Sequence, residues 1–375
     1  MIVVHRIALD PNQKQETYFR QAAGCARFAY NWALAEWQKQ YEAGGKPNEA
    51  ALRRLLNANK AEKFPWLLEI SKAVIQQAIK NLGTAYAHFF RRLEEYRHEP
   101  DPRRKKRLGK KLGYPKFKKK GRCRDAFRTD NGTSKERPDA VRVDGVYVVL
   151  PKIGRIRMRE RLRFAGRVKS AVVSRTADRW FVSLSVEVPD AVLPRKNHAV
   201  VGVDLGIATL ATVSDGRDPY EAPRPLKTLA QKRRRLGKAL ARKQGPGPGK
   251  KPSKNFLKAK RRLARLEARI ANIRLDATHK ATTDLCRTCA HIVLEDLSVQ
   301  GLLANHKLAN ALADVGFAEF RRQVEYKATR YACKVEFAPR SFPSSKMCFK
   351  CGYVNDNLKL SDRIWTCPAC GTTHD

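Results

Sequence analysis

Four cysteines near the carboxyl end of the sequence have the spacing of a metal site. Two residues separate the members of each pair and 15 residues separate the pairs, which are Cys348 with Cys351 and Cys367 with Cys370. Zn²⁺ in structural sites takes four tetrahedral ligands, and two such pairs supply four thiolates. The spacing therefore predicts a structural zinc site that is closed to substrate, and the alternative is four unrelated thiols.

Two acidic residues end apolar segments that are typical of buried strands. Asp204 ends the segment Ala199-Val-Val-Gly-Val-Asp204, and Glu295 follows Ala290-His-Ile-Val-Leu294. Two-metal phosphodiester hydrolysis needs divalent cations about 4 Å apart, held by carboxylates. Mg²⁺ keeps several waters and needs few protein carboxylates. The pair predicts a catalytic Mg²⁺ site, and the alternative for each acid is an ordinary turn residue.

The charge balance indicates a polyanionic partner. The chain has 77 Lys and Arg against 36 Asp and Glu, a formal net charge of +41 over 375 residues. This excess argues against an ordinary metabolic enzyme. A hydrophobic fraction of 42% argues against a wholly disordered basic chain, because it is enough to form real cores.

Two basic segments concentrate this charge. Residues 103–124 include 13 Lys or Arg and no acid, and residues 227–265 include 16 and no acid. Tyr114 and Phe117 lie within the first segment, and aromatic residues among basic ones favour nucleic-acid contact over a merely solvated face. The residues predicted to contact nucleic acid are Arg103, Arg104, Lys105, Lys106, Arg107, Lys116, Lys118, Lys119, Lys120, Arg233, Arg234, Arg235, Lys260, Arg261 and Arg262.

Apolar periodicity predicts an α+β chain of several domains that positions these groups. Asp10, before Pro11, is predicted to cap the first helix. The predicted helices cover the segment after Pro11 and about 48–98, 225–243, 254–288 and 313–332. The predicted strands cover 3–9, several antiparallel segments within 139–188, and the segments 199–204, 210–213, 290–294 and 333–338.

The remaining cysteines and histidines do not suggest a covalent nucleophile. Cys286 and Cys289 repeat the two-residue spacing, but no partner pair lies nearby, so partly buried thiols are predicted. His279, late in a helix, is predicted to be a packed or capping residue.

The sequence also indicates a compartment. No apolar stretch approaches 18 residues, so no transmembrane helix and no membrane partner are expected. The start lacks the charged lead, apolar core and cleavage site of a signal peptide. Nine cysteines, four with metal spacing, favour a reducing interior, and a cytoplasmic location is expected.

Motifs along nearly the whole chain resemble the TnpB family, the transposon-encoded RNA-guided nucleases (OrfB-type transposase-associated proteins) related to type V CRISPR effectors. Gly202-Val-Asp204-Leu-Gly206 is similar to the first RuvC motif of that family, and Glu295-Asp-Leu297 to the second. The other similar motifs are Ala26-Arg-Phe-Ala-Tyr-Asn-Trp32, Gly113-Tyr-Pro-Lys-Phe-Lys-Lys119, Leu150-Pro-Lys-Ile-Gly154, Phe317-x-x-Phe320 with Glu325-Tyr-Lys-Ala328, and Phe342-Pro-Ser-Ser-Lys-Met-Cys348.

The resemblance implies a domain organisation. Residues 1–10 and 125–195 would form a β-barrel wedge domain, and residues 11–124 an inserted helical recognition lobe with the basic segment. Residues 196–340 would form an RNase H-like RuvC nuclease domain with a basic helical hairpin. Residues 341–375 would form the zinc ribbon and the shortened end of the RuvC domain.

The resemblance also implies partners and an activity. A guide RNA made from the transposon end would pair with double-stranded target DNA beside a short motif that the protein reads. Asp204 and Glu295 would hold the catalytic Mg²⁺, and zinc would be structural. The protein would act in the prokaryotic cytoplasm, in association with the nucleoid.

One departure from the family pattern concerns the third metal-binding acid. Family members continue past Cys-Gly-x-x-His-Asp with Arg-Asp-x-Asn-Ala-Ala, which contains that acid, whereas this sequence ends at His374-Asp375. Asp375 is a weak candidate to replace it. The expectation is therefore an RNA-guided, metal-dependent DNA endonuclease with impaired cleavage. The alternatives are a nuclease-dead RNA-guided DNA-binding protein or repressor, a transposase that joins DNA ends, and a general zinc-ribbon nucleic-acid binder.

Overall fold

The computed structural model describes residues 1–131, 140–189, 199–243, 245, 247, 251–305, 308–339, 342–343, 346–358, 362 and 364–374. The chain forms two compact units, Met1–Asp190 and Ala191–Asp375. Both units combine helices with sheets, which confirms the predicted α+β class. Within the described ranges, no helix is both long enough and apolar enough to cross a membrane.

The first unit packs helices against an antiparallel sheet. In chain order its elements are β1 (Ile2–Asp10), α1 (Gln13–Glu42), α2 (Glu49–Lys63), a 3₁₀ turn (Pro65–Glu69), α3 (Lys72–His98), α4 (Pro102–Gly109), β2 (Ala126–Asp130), β3 (Arg142–Asp144), β4 (Tyr147–Leu150), β5 (Gly154–Met158), β6 (Arg167–Thr176) and β7 (Arg179–Glu187). The strand order across the sheet is β2-β6-β7-β1-β5-β4-β3. The amino-terminal strand therefore lies at the centre of a sheet built mainly from residues beyond 125.

The first helix begins two residues later than the sequence predicts. Asp10 is the last residue of β1, where it pairs with Arg157 of β5. Asn12 is the N-cap instead: its side chain accepts the backbone N–H of Gln15, whose side chain accepts the backbone N–H of Asn12. This reciprocal capping box satisfies two helix-end donors at once, so the prediction of Asp10 as the cap was wrong.

Small and aromatic residues of α1 join the helices to the sheet in one core. The buried face of α1 includes Ala22, Ala29 and Ala33, which permit close approach, and Phe19, whose ring centroid lies 5.2 Å from that of Trp180 on β7. Phe19 and Trp180 are almost completely buried. Burying an aromatic side chain of this size contributes about 1.5–3 kcal/mol, so this packing is a main fastening between helix and sheet.

The second unit is built around a mixed sheet. Its elements are β8 (Ala199–Asp204), β9 (Thr209–Val213), β10 (Tyr220–Glu221), α5 (Pro225–Thr228), α6 (Ala230–Ala241), α7 (Lys254–Thr288), β11 (Cys289–Glu295), α8 (Val299–Leu303), α9 (Ala309–Val315), α10 (Phe317–Tyr331), β12 (Lys334–Ala338), β13 (Trp365–Thr366) and β14 (Thr373–His374). Five strands pair in the order β10-β9-β8-β11-β12 among the described residues. β8, β11 and β12 run parallel, and β9 and β10 are antiparallel additions.

Two helices that the sequence predicts as continuous are interrupted. The predicted helix 225–243 is two helices, α5 and α6, which meet at Leu229. The predicted helix 313–332 is α9 and α10, which meet at Gly316 with φ +79°. A left-handed residue ends a helix and turns the chain, and glycine adopts that conformation without strain. Apolar periodicity continues across both breaks, which is why the sequence conceals them.

Candidate functional site

Asp204 and Glu295 lie at the carboxyl ends of two neighbouring parallel strands. The register of β8 and β11 pairs Val203 with Leu294, so the next step of the same ladder sets Asp204 beside Glu295. Residues opposite each other on parallel strands point to the same face of the sheet, and the strands are about 4.8 Å apart. Asp204 is exposed and Glu295 is half-buried. The two acids therefore lie at the same edge of the sheet, at the ends of neighbouring strands.

Residues on the flanking strands border this pair. Thr212 of β9 pairs with Asp204, and Ala338 of β12 pairs with Glu295. A cleft of about 350 Å³ opens at the ends of β11 and β12. Its lining includes Glu295, Asp296, Ser298, Pro339 and Phe342. Glu295 thus lines a partly apolar cleft, whereas Asp204 is not among the cleft's lining residues.

Arg321 of α10 holds the residue next to Glu295. Its Nη1 lies 2.6 Å from Asp296 and its Nε lies 3.1 Å from Glu325. Its guanidinium also stacks 3.8 Å from the ring centroid of Phe337 on β12. Asp296 therefore forms an ion pair with Arg321. Glu295, one residue earlier, is the last residue of β11.

The four zinc-spaced cysteines come together in the structure. Their Sγ atoms all lie within 4.8 Å of one another, and the pairs Cys348–Cys370 and Cys351–Cys367 are each 3.5 Å apart. A tetrahedral zinc with Zn–S bonds of about 2.3 Å places its sulfurs about 3.8 Å apart. The spacing and the thiol chemistry therefore fit a metal ion.

Backbone hydrogen bonds shape the loops that carry these cysteines. The N–H of Gly352 donates to the carbonyl of Cys348, and the N–H of Gly371 donates to the carbonyl of Cys367. Strands β13 and β14 flank the second loop and pair with each other. The structure thus holds two similar cysteine turns, as the sequence predicts.

Cys286 and Cys289 do not belong to a metal cluster among the described residues. Both are fully buried, and the thiol of Cys286 donates to the carbonyl of Val324. Burial raises the pKa of Cys286 to about 12, so this thiol is inert at neutral pH. The prediction of buried thiols holds, and the burial is complete where partial burial was predicted.

The first basic segment is partly tied to the helices. Residues 103–107 lie on α4, where Arg104 pairs with Glu99 at 2.9 Å. The ammonium of Lys118 lies 3.7 Å from the ring centroid of Tyr30, and the backbone of Lys118 exchanges two hydrogen bonds with the side chain of Asn31. Lys118 therefore fastens the segment to α1.

The aromatic residues of that segment have separate environments. Tyr114 packs edge-on against Phe89, and its hydroxyl lies 3.1 Å from that of Tyr86 on α3. Phe117 is 48% exposed. Tyr114 therefore contacts α3 although it is 44% exposed, so both aromatic residues that the sequence singled out remain accessible.

The second basic segment forms a helical pair. Arg233, Arg234 and Arg235 lie on α6, and residues 260–262 lie on α7. Arg233 pairs with Glu267 of α7 at 2.6 Å, which joins the two helices. Of the 15 predicted nucleic-acid contacts, all except Lys105 and Lys118 are exposed. Asp375 lies outside the described residues.

Sequence reasoning missed two buried polar residues that position this unit. Asp314 of α9 accepts hydrogen bonds from the backbone N–H groups of Leu226 and Lys227, and so caps α5 from a distance in sequence. Lys327 of α10 donates to the carbonyl of His279 on α7. His279 itself is exposed, which contradicts the packed alternative of the prediction that it is a packed or capping residue. Only the family-like motif around Lys327 drew attention to either residue.

Three family models match the chain. Residues 183–306 match OrfB_IS605, described as "Probable transposase", and residues 317–375 match "Cas12f1-like, TNB domain". Residues 1–46 match a model described as "Helix-turn-helix domain". In the structure those residues contain strand β1 and most of a single long helix, α1, so that description does not fit their fold.

Relatives of known description match over almost the full chain. One from Escherichia coli K12, named "Putative RNA-guided DNA endonuclease InsQ", is 31% identical over 96% of this chain and 86% of its own length. One from Streptomyces pristinaespiralis, named "Putative RNA-guided DNA endonuclease", is 36% identical over 97% of this chain and 84% of its own length. A cryo-EM structure of a Cas12f1–sgRNA–target DNA complex shares the fold, with a TM-score of 0.54 and 15% identity over 96% of this chain and 81% of that one.

Proposed function

The chain belongs to the TnpB family of OrfB-type, transposon-encoded proteins, and from that premise we propose that it is an RNA-guided DNA endonuclease. A guide RNA from the transposon end would select double-stranded DNA by base pairing, while the protein contacts the backbone and a short adjacent motif. Cleavage would be metal-dependent hydrolysis of a phosphodiester.

The observation that carries this proposal is the placement of Asp204 beside Glu295. Adjacent parallel strands fix the spacing of the two carboxylates within a rigid sheet. Carboxylate oxygens are the ligands that Mg²⁺ prefers, and two such groups with retained waters suit it. Mg²⁺ bound there would lower the pKa of a coordinated water and offset charge on the phosphate oxygens. Asp204 and Glu295 would hold the metal ion, and Arg321 would keep Asp296 in an ion pair.

The domain assignments follow from the same premise. We assign residues 196–340 to an RNase H-like RuvC domain, 341–375 to a zinc ribbon with the end of that domain, and 11–124 to a helical recognition lobe. Residues 1–10 and 125–195 would form the β-barrel wedge. Asn131 supports the barrel, because its side chain bonds to the backbone of Val141 and Val168 and so brings the end of β2 beside the start of β3.

The exposed cations of α4 and of the α6–α7 pair would contact nucleic-acid phosphates. Two of the predicted contact residues are less available to phosphates. The ammonium of Lys118, which follows α4 in the chain, lies on the ring of Tyr30, and Arg233 is paired with Glu267. Each phosphate neutralised releases counterions, so affinity should fall steeply with salt. The four-cysteine cluster would hold structural Zn²⁺.

The test is cleavage of a plasmid carrying the guide-matched sequence by the full chain, its guide RNA and Mg²⁺. Wild type should cut, and Asp204→Asn and Glu295→Gln should each abolish cutting while RNA binding persists. Glu221→Gln, which removes an exposed acid from edge strand β10, is the matched control and should cut normally. Guided binding without cleavage by wild type would overturn the proposal and favour the non-cutting DNA-binding alternative.

A further inference from the structure

An arginine pair on the sheet of the first unit has no place in the function so far described. Arg6 lies in the middle of β1, and Arg124 lies two residues before β2. Arg6 Nη2 donates to Thr176 Oγ1 at 2.9 Å, and Arg124 Nη2 donates to the same oxygen at 2.8 Å. The two guanidinium nitrogens are therefore no more than 5.7 Å apart.

Both guanidinium groups are fixed by further contacts. The Arg6 guanidinium lies 3.8 Å from the ring centroid of Phe181 on β7, across which it reaches Thr176. Arg124 Nε donates to the carbonyl of Arg175 at 3.2 Å. Held in this way, the two side chains lose little additional conformational freedom when they bind a ligand.

No carboxylate in the described residues pairs with Arg6 or Arg124. The nearest acid along the chain, Asp125, pairs with Arg27 at 3.2 Å. Two like charges held together without a counter-charge repel each other. Burial and the charge of Arg124 together lower the pKa of Arg6. Both effects disfavour the charged guanidinium.

The Thr176 hydroxyl completes the arrangement. A hydroxyl has two acceptor lone pairs and one donor proton. Both guanidinium groups occupy the acceptor side, and in the described part of the chain no acceptor takes the proton of Thr176. The O–H and the remaining guanidinium N–H groups are donors only, and donors that converge on one place suit an anion with several oxygens.

We propose that Arg6, Arg124 and Thr176 form a binding site for one phosphodiester group of a nucleic-acid backbone. Arg124 is the last residue of the basic segment 103–124, but its guanidinium is held beside that of Arg6 on Thr176, so the site is a pre-formed arginine fork and not a row of exposed lysines and arginines. It rests on the proposed function in one respect only, that the phosphodiester belongs to the RNA or the DNA that the protein binds.

The test is binding of a labelled short single-stranded RNA, and of DNA of the same sequence, to the full chain over a range of NaCl concentrations, followed by fluorescence anisotropy. The double variant Arg6→Gln/Arg124→Gln should bind at least about tenfold more weakly. Its slope of log affinity against log salt should be smaller in size by about 0.7 for each phosphate that is no longer neutralised. Thr176→Val should weaken binding without changing the slope.

Arg155→Gln is the matched control. Arg155 lies on the same sheet and over an aromatic ring, 4.5 Å from the centroid of Tyr147, but it is neutralised by Asp144 at 3.0 Å. This variant should bind like wild type. Arg124→Gln alone leaves the Arg6 guanidinium on the Phe181 ring and serves if the double variant does not fold.

The outcomes separate the two proposals. Weaker binding of RNA, of DNA or of both supports the site and identifies the strand that occupies it. Wild-type affinity and slope in the arginine variants would overturn the inference and leave these side chains with a purely structural role. Failure of wild type itself to bind either nucleic acid would instead overturn the proposed function.

Discussion

Replacement of Lys327 by methionine should change how the stability of the second unit depends on pH. Lys327 is 7% exposed, and its ammonium donates to Thr282 Oγ1 at 2.7 Å, to Thr283 Oγ1 at 2.8 Å and to the carbonyl of His279 at 2.9 Å. These partners are neutral. Burial without an ion-paired acid therefore lowers the pKa of Lys327 from 10.5 to about 8.

The sign of the effect follows from proton binding. The unfolded chain keeps the Lys327 proton up to its ordinary pKa near 10.5, whereas the folded chain releases it near 8. Between these values the unfolded state binds more protons, so the free energy of unfolding rises with pH. The full difference corresponds to about 3.4 kcal/mol, and about 2.5 kcal/mol of it should develop between pH 7 and pH 10.

The assay is urea unfolding of the full chain followed by circular dichroism between about pH 7 and pH 10. At pH 7 the methionine variant should lie within about 1 kcal/mol of wild type, because relief of ammonium burial offsets the missing hydrogen bonds. At pH 10 wild type should be more stable by about 2–3 kcal/mol. Burial raises the pKa of the neighbouring Cys286 to about 12, above this window.

Lys280→Met is the control, because Lys280 lies on α7, the helix that supplies the partners of Lys327, but is exposed and pairs with Asp276 at 2.7 Å. It should keep the wild-type pH dependence. A difference between wild type and Lys327→Met that stays constant from pH 7 to pH 10 would refute the reasoning that burial without a counter-charge governs this lysine.

Three further predictions concern stability and metal content. Asp314→Ala should lower the free energy of unfolding by about 2–3 kcal/mol, because it leaves the N–H groups at the start of α5 without an acceptor; Asp314→Asn, which keeps one acceptor oxygen, should be less destabilised, and equal urea midpoints for both variants would contradict the capping role. Gly166→Ala should lower the free energy of unfolding by at least about 2 kcal/mol, because φ is +157° and the new Cβ would lie 2.2 Å from a backbone carbonyl oxygen of β7. Gly145→Ala, at φ +58° in open space, should lower it by only about 1–2 kcal/mol. Thermal unfolding of the two variants measures the difference. Cys351→Ser should abolish stoichiometric zinc measured by elemental analysis, whereas Cys123→Ser, which lies outside the cysteine cluster, should retain it; zinc retained in both would exclude the cluster as its site.

Local patterns were sufficient to predict several elements and one candidate site. Helix α7 spans Lys254–Thr288 in the structure, as its apolar stripe and the preceding breaker predict. The two cysteine pairs are gathered as their spacing predicts, because each pair is set by a tight turn within a few residues. Asp204 and Glu295 were predicted to be strand ends because an apolar segment that stops at an acid is visible in the sequence alone.

Tertiary structure alone decided which of these residues meet. The adjacency of Asp204 and Glu295 depends on the parallel register of β8 and β11, which no local pattern contains. Lys327 resembles a solvated helix residue until α10 packs against α7 and removes it from water. Arg6 and Arg124 come from distant segments and converge only because β7 lies beside β1 and β6 beside β2. Sequence spacing fixes chemistry within a turn or a strand, whereas burial and long-range pairing determine what charge a side chain meets and therefore what it can bind.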